Sequence, residues 1–111
     1  MDLVLTPVIV GPKTLTAQDY IKLYSVKYGV DTDIALRVAK CESNFIPNAQ
    51  NSHSSAGGVF QFIDSTFYWI ADEMGIENAK KYDAKTNIEM GMYLAKNYGW
   101  KHWECYNKKM I

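Results

Sequence analysis

Apolar residues recur along this chain at the three-to-four spacing of helices lying on a core, and capping residues bracket each run. Thr16 can cap a first helix that carries Ile21, Tyr24 and Tyr28 on one stripe and stops at Gly29. Asp31 can cap a second, where Ile34, Val38 and Cys41 repeat the stripe and Glu42 follows at the C-terminal edge. Asp64 or Ser65 stands where a third should start, running to about Met74 before Gly75. Asp83 opens a fourth, with Ile88, Met92 and Ala95 inward and Gly99 at its end. Gly91 inside that fourth helix costs about 1 kcal/mol relative to alanine, which predicts a close helix contact or a substrate approach there. The period fails over residues 46–63, where Asn48, Asn51, Ser52, Ser54, Ser55, Gly57 and Gly58 are turn formers and Val59 to Phe62 reads as a brief extended piece. The expected class is α+β, predominantly α-helical, with a small irregular β-hairpin next to the second helix. Residues 1–15 read as an arm of uncertain order and 16–111 as a single domain, with no repeat and no low-complexity linker.

Composition narrows the partners. Twelve basic and twelve acidic residues cancel, and no run of like charge appears, so nothing in the chain presents an electrostatic footprint for nucleic acid or an anionic membrane. A neutral partner suits it better. Eight Tyr, four Phe and three Trp supply flat apolar faces that can stack on sugar rings, although most aromatic side chains serve the core. No segment reaches the apolar length of a membrane-spanning helix. His53 and His102 are the only histidines and neither stands at a zinc-finger spacing from a cysteine, so neither a metal nor another cofactor is expected.

Glu42 carries the candidate chemistry. It ends an apolar helix and faces a loop rich in glycine, serine and asparagine, a setting in which a carboxyl group can act as the general acid of a glycan-cleaving enzyme. The helix dipole disfavours a charged carboxylate at this end, and Phe45 and Phe60 would disfavour it further, so both effects push its pKa upward. The run Glu42-Ser43-Asn44-Phe45-Ile46-Pro47-Asn48-Ala49, followed by Ala56-Gly57-Gly58-Val59-Phe60-Gln61, resembles the catalytic core of lytic transglycosylases of the soluble-transglycosylase-like family, which is related to goose-type lysozyme. That family's pattern reads E-S-x-F-x-P-x-A, then G-A-x-G-L-M-Q. One extra residue falls between Asn51 and Ser55, these two stand for the usual Ser and Gly, and Val59-Phe60 stand for Leu-Met. Thr66 and Asn87-Ile88-Glu89-Met90-Gly91 extend the resemblance, which covers roughly residues 31 to 107.

The resemblance implies a lysozyme-like fold, peptidoglycan glycan strands as partner, a monomer, and a reaction that consumes no water. Glu42 would protonate the oxygen linking N-acetylmuramic acid to N-acetylglucosamine while the acetamido group stabilises C1. It would then take the proton of the sugar's own C6 hydroxyl as a 1,6-anhydro ring closes. Ser43 would orient the carboxylate or serve a local backbone partner. Gln61 would bond the acetamido group or the saccharide, and Asn51 joins it as a substrate-binding candidate. Of the family's two tyrosines near the acid, the first falls one position early as Tyr93, a turn of about 100° around the helix. Tyr106-Asn107 preserves the Y-N of the second, with Lys108-Lys109 in place of A-G. Trp103, like Trp100, is a groove wall or core.

Related small wall-cleaving domains set a Cys-Glu-Ser beside a distant C-terminal cysteine, as Cys41 and Cys105 stand here. A bridge would tie the end of the second helix to the end of the chain; the alternative is two buried free thiols. Leu3 to Val10 carries Pro7 and follows Asp2, unlike a signal peptide, so an extracytoplasmic site of action would imply a mature fragment or a phage or secretion-system export route. Two rivals remain: a hydrolytic muramidase on the same fold, which would need Asp64 or Asp83 to hold water, and a non-catalytic peptidoglycan-binding or secretion-assembly domain.

Overall fold

A computed structural model describes residues 14–111. Most of the expected N-terminal arm, with Leu3 to Val10, lies outside the described residues. Five helices follow one another: α1 (Ala17–Tyr28), α2 (Thr32–Ser43), α3 (Asp64–Met74), α4 (Ala84–Tyr98) and the short α5 (Glu104–Asn107). Local signals set most of their ends. Thr16 and Asp19 form a reciprocal capping box at the start of α1, which Gly29 closes in the left-handed conformation. Asp31 accepts from the Ile34 N–H at 3.0 Å and opens α2; Asp83 accepts from the Thr86 N–H at 3.0 Å and opens α4.

The start of α3 departs from expectation. Its N-cap is Ile63, which makes no side-chain cap bond, and Asp64 is already the first helical residue. The Asp64 carboxylate is drawn instead to Lys81, while its backbone N–H donates to Ser55 Oγ at 2.8 Å. A tertiary ion pair has outcompeted the local cap. The four-residue α5 had no sequence signal, being too short to show a period.

Helix α1 packs most extensively on α4 and also on α2, while α3 lies against α4 and α5 against α2. Ile21, Val38, Ile70, Ile88, Met90, Met92 and Leu94 meet in the core. Lys27 and Tyr28 of α1 both donate to Glu89 Oε2 of α4, at 3.0 and 2.7 Å, which fastens the edge of that main contact.

The expected hairpin is not confirmed as paired strands among the described residues. Among the described residues only two isolated antiparallel bridges occur, Gln50 with Gly57 and Gly57 with Phe62. Val59, Phe60 and Phe62 are all buried, a demand that an alternating strand with one solvated face cannot meet. The chain turns back instead, with the Gln61 N–H donating to the Gly58 carbonyl at 3.1 Å. This turn is seated on α4. Buried Asn87 accepts from the Phe60 N–H at 2.8 Å and donates to the Lys81 carbonyl at 2.9 Å. Gly91 is where Phe60 enters: a Cβ there would lie 3.1 Å from the Phe60 ring, so the close contact is with the loop and not with another helix. Gly58, at φ 83°, would drive a Cβ to 2.1 Å from Asn87 Nδ2.

Candidate functional site

Glu42 is the penultimate residue of α2 and is half-buried. Its helix ends through two consecutive non-glycine residues in the left-handed region, Asn44 at φ 53° and Phe45 at φ 63°. Gln61, across the loop, has φ 49°. Each such residue costs about 1–2 kcal/mol, and two of them follow Glu42 within three residues, a local strain of the kind that functional sites often carry. Oε2 of Glu42 accepts a hydrogen bond from the Cys105 backbone N–H at 3.2 Å. Burial holds the carboxyl above its ordinary range; the Cys105 N–H pulls the other way, and the charge of Glu104 adds to the rise. A carboxyl group shifted in this direction is better suited to donate a proton than a freely solvated one.

The other candidates divide. Ser43 is buried, and its hydroxyl donates to the Val59 carbonyl at 2.7 Å, with the Ala39 carbonyl 3.2 Å away. It therefore joins the end of α2 to the loop. Gln61 is partly buried; its Nε2 donates to the carbonyls of Gly58 and Ala49 at 2.9 and 3.1 Å, which commits the nitrogen and leaves Oε1 as the free acceptor. Asn51 is exposed and accepts from the His53 N–H at 2.7 Å, forming a local turn.

Trp103 belongs to the core side of its alternative. It is 3% exposed, donates from Nε1 to the Phe60 carbonyl at 2.9 Å and meets the Phe60 and Phe62 rings edge-on. Tyr106 is exposed and stacks on Trp100, one residue past the N–H that touches Glu42. Tyr93 has turned away: its hydroxyl donates to Glu73 of α3 at 2.9 Å, and its ring packs on Tyr28. Leu94, the next residue, instead lines a hollow of about 140 Å³ with Phe60, Gln61, His102 and Trp103. Glu42 is not in that wall, so this hollow adjoins Gln61 and not the acid.

Sequence reasoning missed three contributors. Glu104 and the Cys105 N–H reach Glu42 from more than sixty residues away, and no local pattern announces them. Asn87 was noticed only as part of a motif; its signal was a polar residue on the inward stripe of α4. Cys41 and Cys105 form a disulfide, with Cα atoms 6.2 Å apart. The two carboxylates a hydrolase would recruit are engaged elsewhere. Asp64 pairs with Lys81, and Thr86 holds the Asp83 carboxyl below its usual range by donating from both its hydroxyl and its backbone. Both line a separate hollow of about 640 Å³ that has no Glu42 in its wall.

Among the described residues no helix is long and apolar enough to cross a membrane. No curated protein and no solved structure gives a significant match to the chain. A family model does: that of the transglycosylase SLT domain matches residues 19–106, from the first turn of α1 into α5. Because that match spans most of the chain, the protein belongs to the transglycosylase SLT domain family, whose members act on peptidoglycan.

Proposed function

We propose that residues 16–111 form a single monomeric domain that cleaves the β-1,4 bond between N-acetylmuramic acid and N-acetylglucosamine by transglycosylation, outside the cytoplasmic membrane, where peptidoglycan lies. Glu42 donates its proton to the linking oxygen, the substrate's acetamido carbonyl supports the positive C1, and Glu42 then accepts the proton of the C6 hydroxyl as the 1,6-anhydro ring forms. Gln61 Oε1 accepts from the acetamido N–H, and Tyr106 and Asn51 flank the strand on the exposed rim. The observation that carries this reading is a half-buried carboxyl group whose pKa burial raises, while Asp64 and Asp83 are committed to Lys81 and Thr86. With those two occupied, the substrate is the natural source of the second nucleophile.

Mass spectrometry of muropeptides released from purified peptidoglycan tests it. Products ending in 1,6-anhydro-N-acetylmuramic acid are expected, and none from Glu42→Gln. Reducing ends one water heavier would make the enzyme a hydrolase, and undiminished release by Glu42→Gln would remove Glu42 from the mechanism.

A further inference from the structure

Two links join Cys105 to the end of α2 that carries Glu42. The backbone N–H of Cys105 donates to Oε2, and its sulfur is bonded to that of Cys41, the residue immediately before Glu42. Donor and acceptor residues are therefore separated only by Cys41 in one covalent ring. The segment that carries the donor has few other anchors: beyond buried Trp103, α5 packs on α2 alone at any length, and residues 106–111 are exposed. A single 3.2 Å hydrogen bond to such a segment would open whenever α5 lifted from α2.

On the reading that Glu42 is the acid, we propose that the Cys105 backbone N–H is a positioning group for the reaction, kept aimed at Glu42 by the Cys41–Cys105 disulfide. In the protonated carboxyl group an oxygen facing an N–H donor serves as the carbonyl oxygen, so Oε2 takes that part and the proton resides on Oε1. The proton that moves to the glycosidic oxygen leaves from Oε1, and the proton of the C6 hydroxyl returns there. The bond also favours the carboxylate left between the two transfers. One donor, in place of a full set, leaves burial the stronger influence on the group.

The test compares wild-type protein with Cys41→Ser/Cys105→Ser on purified peptidoglycan across pH, below the melting temperature of both. Serine keeps new thiolates out of the titration. The variant should lose about tenfold to a hundredfold in turnover, the usual consequence of a misplaced catalytic group. The basic limb of its pH profile should also move to higher pH, because Glu42 has lost the donor that lowered its pKa. A basic limb that stays in place in a folded variant, whatever its turnover, would reduce the disulfide to a scaffold and overturn the proposal. Should the variant fail to fold, NMR titration of the Glu42 carboxyl carbon in oxidised and dithiothreitol-reduced wild-type protein at low temperature replaces it. An upward shift on reduction is expected and an unchanged titration overturns the proposal. Glu42→Gln separates the two readings: if it retains activity, the assignment of the acid has failed, whereas an inactive Glu42→Gln beside an unmoved limb sinks only the role of Cys105.

Discussion

Burial raises the proton affinity of Glu42, and linkage turns that into a statement about stability. The folded-state pKa lies above the unfolded one, so Glu42 contributes fully below the unfolded value of about 4.3 and loses that contribution as pH rises through the folded value. At neutral pH the buried carboxyl group therefore costs the fold something. Glu42→Gln, which retains an oxygen for the Cys105 N–H, should melt above wild type at pH 7, with the gain vanishing near pH 4. Calorimetry at both values checks it, and an equal difference at both would show that the charge is not what burial opposes. Glu104 offers a second test at this scale. It is exposed and bonded to Lys108 at 2.7 Å, yet its charge raises the pKa of Glu42. Glu104→Gln should move the basic limb of the pH–activity profile to lower pH, more clearly at low salt, with the plateau little changed. Collapse of the plateau would instead make Glu104 a reacting carboxylate and favour hydrolysis.

Among the elements, the turn at 58–61 depends on α4 more than on itself. Asn87 satisfies the buried Phe60 N–H and two carbonyls, those of Lys81 and Gly57, so one amide serves three backbone groups. Asn87→Ala should destabilise by about 2–4 kcal/mol, measured in urea, since each buried group left unpaired costs about 1–3 kcal/mol. A variant as stable as wild type would mean that water replaces the latch. The same contrast between local and distant causes explains what could be read in the chain. The starts of α1, α2 and α4 were legible because Thr16, Asp31 and Asp83 act within one turn. The displacement of Tyr93 was legible as an angle around a helix. The start of α3 was misread because Lys81, seventeen residues on, claims Asp64. The hairpin shows only as isolated bridges, since three of the four residues of Val59 to Phe62 are buried together, which the loop meets by turning under Asn87 and Gly91. At the site, a raised pKa followed from the helix end and its apolar neighbours, but Glu104 and the Cys105 N–H depend on how the chain's last helix returns to α2.

For the whole molecule, that return is closed by the disulfide, and its two half-cystines are 64 residues apart. Closing a loop of this length in the unfolded chain is worth about 4 kcal/mol in the chain-entropy model, against total stabilities of about 5–15 kcal/mol for domains in general. The bridge encloses α3, α4 and the loop that follows α2, so its entropic effect acts on everything between α2 and α5. Natively prepared protein should therefore show no free thiol by Ellman titration and should run as a monomer on a non-reducing gel. Reduction should lower its melting temperature by more than about 10 °C, the shift that a loss of this size produces in a chain of about a hundred residues. Two titratable thiols in air-exposed native protein, or a melting temperature indifferent to reductant, would mean that α2 and α5 are held together by packing alone. Helix α1 adds a control, because it lies outside the bridged loop and is fixed to α4 through Glu89. Hydrogen exchange after reduction should accelerate first in α5 and the end of α2, leaving the amides at the α1–α4 contact protected until the whole chain unfolds.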